Sequence, residues 1–338
     1  ITKIMTLLLA VENCSLKEDV VFTETGTRDI SWDSGNIGMQ VGEVMSMRAC
    51  LYALVIRSAN EVAAQIAEHV GGTEQHFVDM MNERAAQIGC TNTHFVNASG
   101  LPDPDHYSTA HDMALIMREG LKNKKFRRII GATDYTIKPT NMNSESRVLH
   151  THHPMLAPES SYHYDGCIGG KTGYTSEAGN TLVTAAEKNG TTYITVTMKA
   201  ADLAVASTDS TALFNYGYQN FTKAQVNGGE VSVPNGVTVQ ENSQNGNTVD
   251  DYYYNDYLLG SVEVPEATPT PEPAVDALSD TSGGNTDQNE KSDTVGEEKT
   301  SAGMPELRKI LLIIGAAMLL LIIILSIALA KKEKRYYG

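Results

Sequence analysis

Three short groups of residues in this chain could do chemistry together. Lys3 lies two residues into an apolar stretch, Ser58-Ala59-Asn60 comes later, and Lys171-Thr172-Gly173 later still. A lysine amine can take a proton from a hydroxyl only while it is uncharged, which requires desolvation or a nearby positive charge. A serine hydroxyl and an asparagine amide on one turn can each donate and accept hydrogen bonds. A lysine, a threonine and a glycine in an extended segment supply a charge, a hydroxyl and a place for close backbone approach. Each group also has an ordinary reading. Lys3 could be a snorkelling surface lysine, Ser58 and Asn60 could be helix caps, and a Lys-Thr-Gly tripeptide is common by chance.

The elements that must position these groups can be read from periodicity. Residues 1–11 (with Leu7, Leu8, Leu9, Ala10 and Val11) read as a helix, as do residues 44–55 and 61–69, the last ended by Gly71 and Gly72. Thr73 can cap a further helix, in which Phe77, Met80, Met81, Arg84, Ala85 and Ile88 recur at helical spacing until Gly89. Thr109 with Asp112 resembles a capping box for a helix running to about Leu121. The basic residues Lys122, Lys124, Lys125, Arg127 and Arg128 read as a solvated helix end.

Beyond Gly131 the pattern becomes strand-like. Residues 180–186 and 191–198 read as strands joined by Glu187-Lys188-Asn189-Gly190, with the Asn-Gly hairpin signal. Leu213, Phe214, Tyr216, Gly217 and Phe221 read as an amphipathic helix closing this part. The expected class is α+β, an antiparallel sheet flanked by a helical cluster.

The order of the three groups is that of S-x-x-K, S-x-N and K-T-G in the penicillin-recognising serine enzymes. The chain resembles the D-alanyl-D-alanine carboxypeptidases, low-molecular-mass penicillin-binding proteins of the serine peptidase type. Five stretches carry the resemblance: Ile1-Thr2-Lys3-Ile4-Met5-Thr6, Ser58-Ala59-Asn60-Glu61-Val62-Ala63, His94-Phe95-Val96-Asn97-Ala98-Ser99-Gly100-Leu101, His106-Tyr107-Ser108-Thr109-Ala110-His111-Asp112 and Gly170-Lys171-Thr172-Gly173-Tyr174-Thr175. It extends over residues 1–221. It implies a β-lactamase/DD-peptidase fold and removal of the terminal D-alanine from peptidoglycan pentapeptides through an acyl-enzyme. Stem peptides ending in D-Ala-D-Ala and β-lactams are the implied ligands, with no cofactor.

The resemblance also implies roles. Lys3 is the base for a serine three residues earlier, on the same helix face. Ser58 relays a proton to the leaving amine, and Asn60 positions the substrate amide. Lys171, Thr172, Gly173, Tyr174 and Thr175 bind substrate along an edge strand: the Tyr174 N–H donates to the oxyanion, while Lys171, Thr172 and Thr175 hold the terminal carboxylate. Some relatives add an arginine, but none occurs between Lys199 and Phe221, which throws more of that task onto Lys171. The expected nucleophile falls immediately ahead of Ile1. The chain as given is therefore expected to be truncated and unable to form an acyl-enzyme. Two other readings stay open: a non-catalytic, anchored peptidoglycan-binding module, and a β-lactamase on the same fold.

Charge and composition set the surroundings. The net charge of -15 argues against a nucleic-acid partner, which needs a basic footprint. Residues 222–260 suggest a small β-like appendage. Residues 261–307, with eleven acids and two bases among Pro, Thr and Ser, read as a disordered tether. Residues 310–330 form an uncharged run with Ser326 as the only polar side chain, long enough to cross a bilayer of roughly 30 Å as a helix. That single run excludes a multi-span channel or transporter. Lys331, Lys332, Lys334 and Arg335 in the tail 331–338 place the C-terminus in the cytoplasm and residues 1–307 outside it. The four cysteines show no zinc-ligand spacing and are expected to be free, mostly buried thiols. His150, Thr151, His152 and His153 read as a polar loop, and no metal site is expected.

Overall fold

A short strand, β1 (Asp19–Val21), pairs antiparallel with β2 (Val44–Ser46), and this ribbon follows α1 (Lys3–Asn13) in the chain and leads into the helices that surround it. The computed structural model describes residues 1–27, 35–226, 229–244, 247–254 and 256–264. The tether, the apolar run 310–330 and the basic tail expected from the sequence lie outside them. Among the described residues no helix is long and apolar enough to cross a membrane. Residues Ile1–Ala267 form one unit.

Almost every side chain of α1 is buried, from Lys3 to Val11. A helix apolar on all sides belongs inside a protein, and α1 packs against α2 (Met47–Ile56), α3 (Asn60–Gly71), α4 (Glu74–Ile88), α5 (Ala110–Leu121) and α6 (Lys124–Ile130). Local signals set the ends of these helices. Thr73 Oγ1 accepts the His76 N–H, and Gly89 closes α4 in the left-handed region at φ 94°. Only half of the capping box at α5 forms. Thr109 Oγ1 accepts the Asp112 N–H, while the Asp112 carboxylate turns to the Asn92 N–H and the Thr93 hydroxyl.

The ribbon of β3 (Asp134–Ile137) and β4 (Arg147–His150) leads to a three-stranded antiparallel sheet, ordered β5 (Cys167–Thr175), β6 (Gly179–Lys188), β7 (Thr191–Ala200). Along β6 the side chains alternate between two cores. Val183 and Ala185 face the helical cluster, whereas Leu182 and Ala186 join Met155, Tyr164, Ala206 and Phe214 on the other side. The second core is covered by α7 (Leu203–Asn220), so the sheet lies between α7 and α5. At the hairpin between β6 and β7, Asn189 and Gly190 both take positive φ, 51° and 72°, as a type I′ turn requires.

Downstream, β8 (Phe221–Val226) pairs with β9 (Gly229–Pro234), and β10 (Val237–Gln244), β11 (Asn247–Tyr254) and β12 (Tyr257–Glu263) form a meander. The expected α+β arrangement of helical cluster and antiparallel sheet is present. Three boundaries differ from the sequence reading. Residues 44–46 are strand because Ser46 caps α2, its hydroxyl accepting the Ala49 N–H. The basic cluster forms its own helix, α6, capped by Asn123. The closing helix starts at Leu203, where Asp202 caps the Val205 N–H at 2.7 Å. All four cysteines are free; Cys50 is buried and the others are half-buried.

Candidate active site

The start of α1, the turn between α2 and α3, and strand β5 meet around a cleft of about 900 Å³. Lys3, Ser58, Asn60, Lys171, Thr172, Gly173, Tyr174 and Thr175, the residues singled out from the sequence, all line it.

Lys3 is buried in the first turn of α1. Its Nζ donates to Asn60 Oδ1 at 2.6 Å and to the Ser99 carbonyl at 2.7 Å. Burial, then the charge of Lys171, lowers its pKa to about 7, against an opposing pull from Glu61. Lys171 is buried as well, and desolvation lowers it to about 8; its Nζ donates to the Thr172 carbonyl at 3.0 Å. Two buried amines thus share one cleft, and near neutral pH the first to lose its proton is Lys3.

Asn60 and Ser58 do not act as caps. The N-cap position of α3 is Ala59, and Asn60 instead turns its side chain to Lys3. Ser58 holds a left-handed backbone at φ 56°, a conformation that costs a non-glycine residue about 1–2 kcal/mol. Gly35 holds the turn: its carbonyl accepts the Asn60 N–H at 2.8 Å, and a Cβ on it would fall 2.5 Å from the Ser58 carbonyl oxygen. The strain is local to a cleft-lining serine, where such conformations concentrate.

Among the described residues, strand β5 is the edge of its sheet, paired to β6 on one side only. The register sets Lys171 opposite Val183 and Gly173 opposite Thr181. A side chain at Gly173 would lie 2.6 Å from Thr181 Oγ1 and 2.7 Å from the Ile1 nitrogen. The close neighbour that requires glycine is therefore the backbone entering α1. Thr175 Oγ1 accepts the Ala178 N–H at 3.0 Å and closes the β5–β6 turn, leaving its own proton to donate.

Several lining residues had no role in the sequence reading. The third wall comes from the segments His94–Leu101 and His106–Asp112, joined by a bridge between His94 and Tyr107. His106 Nδ1 accepts the Val96 N–H, so Nε2 carries the proton and donates to Thr2 Oγ1 at 2.9 Å. Burial lowers this imidazole to about 4. It is a neutral strut beneath the first turn of α1. Glu61 lies behind Lys3, buried, with Oε1 accepting the Ile37 N–H at 2.6 Å. Lys199, at φ 56°, also lines the cleft and adds a cation where the sequence offered no arginine.

His150, His152 and His153 turn to Asp134, to Arg57 and to the Val183 carbonyl with Thr184, respectively, so they share no centre. Among the described residues no three His, Cys, Asp or Glu donors converge in the cleft.

The chemistry available here is proton abstraction by a desolvated amine beside an open strand edge, with cations placed for an anionic group. Comparison with known proteins agrees with that reading. The peptidase family model described as D-alanyl-D-alanine carboxypeptidase matches residues 1–202. A D-alanyl-D-alanine carboxypeptidase of Bacillus subtilis is 29% identical over 222 residues, 65% of this chain and 55% of that protein. One from Streptomyces sp. strain K15 is 30% identical over 226 residues, 64% of this chain and 77% of that protein. The crystal structure of the Streptomyces K15 DD-transpeptidase superposes with a TM-score of 0.60 at 28% identity, over 64% of this chain and 86% of that one. A carboxypeptidase structure from Francisella tularensis, at 22% identity, shares the fold with a TM-score of 0.65 over 78% of this chain and 84% of its own. The chain thus spans little more than half of its Bacillus relative.

Proposed function

This chain belongs to the D-alanyl-D-alanine carboxypeptidase family, and on that footing we propose that it is a serine peptidase acting on peptidoglycan stem peptides that end in D-Ala-D-Ala. It removes the terminal D-alanine through an acyl-enzyme and is acylated by β-lactams. The observation that carries this reading is the cleft itself, where Lys3, held by Asn60 and pushed to about 7, faces Lys171 across a free strand edge.

The extended end of the stem peptide lies along the free edge of β5 and pairs with it by main-chain hydrogen bonds. Its terminal carboxylate meets Lys171, Thr172 and Thr175, with Lys199 also lining the cleft. Asn60 gives its Oδ1 to Lys3, so its Nδ2 is the group left to orient the scissile amide carbonyl. The nucleophile is a serine immediately ahead of Ile1, one helical turn before Lys3. Uncharged Lys3 takes its proton as the hydroxyl attacks the carbonyl. The Tyr174 N–H and that of the serine stabilise the oxyanion. Ser58 passes a proton to the departing D-alanine amine, and water then releases the acyl group. Residues 310–330 anchor the chain as a single membrane helix, with residues 331–338 cytoplasmic and the catalytic domain on the outer face.

The test uses the chain extended by one serine ahead of Ile1, with an alanine extension as control. A fluorescent penicillin is expected to label the serine form covalently and to miss both the alanine form and a Lys3→Met variant. The serine form is expected to release D-alanine from a peptide ending in D-Ala-D-Ala. Failure to label, with circular dichroism unchanged, removes the peptidase reading. Rapid multiple turnover of a chromogenic cephalosporin replaces it with a β-lactamase.

A further inference from the structure

At the end of α1 far from the cleft, three side chains of different chemistry converge. Cys14 is the C-cap of α1, Glu18 lies in the loop entering β1, and His69 occupies the last turn of α3. One donor atom from each lies within 4.8 Å of the other two. His69 Nε2 and Glu18 Oε2 are 3.2 Å apart. The other carboxylate oxygen accepts the Ser15 N–H at 2.6 Å, which fixes the direction in which Glu18 points.

Thiolate, imidazole and carboxylate are the donors that zinc takes. Bond lengths of about 2.0–2.3 Å put tetrahedral donors about 3.5 Å apart. The imidazole and carboxylate already have that separation. The thiol lies within 4.8 Å of both, and His69, 25% exposed, is not locked in a core. In the metal-free protein, burial and then the Glu18 charge push the Cys14 thiol up to about 11. A bound divalent cation reverses that effect, because a coordinated thiol is deprotonated outright.

We propose that Cys14, Glu18 and His69 form a Zn²⁺ site that ties the C-terminal end of α1 to the C-terminal end of α3. The thiolate and imidazole select zinc over magnesium or calcium, which prefer all-oxygen sites. Three protein donors leave the fourth position to water from the exposed side. The opposite ends of these two helices carry Lys3 and Asn60. The eleven residues of α1 put the metal about 16 Å from the cleft, so it braces the two helices and takes no part in the reaction.

The test is titration of the chelator-treated full chain with Co²⁺, a spectroscopic stand-in for zinc. One equivalent is expected to give a thiolate-to-cobalt charge-transfer band in the near ultraviolet, and Zn²⁺ is expected to abolish it by displacement. Zn²⁺ is also expected to raise the thermal midpoint. Cys14→Ser eliminates the band, and His69→Gln and Glu18→Gln each weaken binding at least about tenfold, the loss that even outer-shell changes cause. Cys90→Ser, at a half-buried thiol elsewhere, leaves the titration unchanged. Absence of the band in the parent chain, its persistence in Cys14→Ser, or unchanged affinity in both His69→Gln and Glu18→Gln overturns the proposal.

Discussion

Replacing Asn60 with aspartate puts a negative charge where Lys3 Nζ now donates to a neutral oxygen at 2.6 Å. The side chains are nearly the same size, so the change is electrostatic. At an effective dielectric constant of about 20, unit charges about 3 Å apart attract by about 5.5 kcal/mol, or about four pKa units. Burying the new carboxylate takes part of this back, leaving a rise of about two to four units. Lys3 therefore moves from about 7 to roughly 9–11. The sign is adverse to catalysis: a raised pKa keeps the amine charged and unable to accept a proton. At pH 8 the uncharged fraction falls from about nine tenths to between about a tenth and a thousandth. Acylation of the serine-extended chain by fluorescent penicillin is expected to slow roughly 10- to 1000-fold, and its alkaline rise moves to higher pH by the same two to four units. Lysine ¹³Cε NMR, with the Lys3 signal assigned by its loss in Lys3→Met, reads the shift directly without turnover. Asn60→Ala removes the hydrogen bond without adding charge and is expected to leave the rise near neutral pH. A titration of Lys3 in Asn60→Asp that stays near 7 would falsify the role given to this pair.

Three further outcomes follow from the same geometry. Acylation of the parent serine-extended chain is expected to rise with pH through about 7, as Lys3 loses its proton, and to fall above about 8, as Lys171 loses its own; a single sigmoid in the rate profile would speak against two titrating amines. Gly170→Ala places a Cβ 2.1 Å from the Val183 carbonyl oxygen and 2.4 Å from His153 Nε2. Overpacking of that kind costs about 1–3 kcal/mol, to be read as a lower urea midpoint with an unchanged slope. Ser58→Gly relieves the left-handed backbone at φ 56° and is expected to stabilise the fold by up to about 1 kcal/mol while slowing release of D-alanine. A variant that loses both stability and activity contradicts the strain argument.

The parts of this structure that were legible in the sequence are those with a local signature. Thr73 and Gly89 bracket α4, and Asn189-Gly190 turns the hairpin. The alternation of Ile194, Val196 and Met198 with Thr195 and Thr197 marks strand β7. Short elements escaped because their neighbours overwhelm them. Three residues of β2 sit directly against an apolar helix, and the seven residues of α6 look like a charged helix end. The first half of α7, Leu203-Ala204-Val205-Ala206-Ser207-Thr208, has too little contrast between its faces to show a helical period. In the cleft the motif side chains were visible as motifs, but the Ser99 carbonyl that holds Lys3 is a backbone group with no side-chain signature. His106 and Lys199 gain their positions only from folding. The same holds for His69, which lies 51 positions from Glu18 in the chain.

Burial strips Lys171 of water, and its charge in turn bears on Lys3, so the cleft holds a desolvated positive charge. A guest that ends in a free carboxylate discharges it, and so contributes more than its own contacts. Binding of such a guest is expected to return Lys171 towards its ordinary basicity and to raise the melting temperature of the whole unit. An otherwise identical peptide closed by an amide gives neither effect. Discrimination between free and blocked chain ends is thus written into the desolvated charge of Lys171, before any particular side chain of the guest is touched.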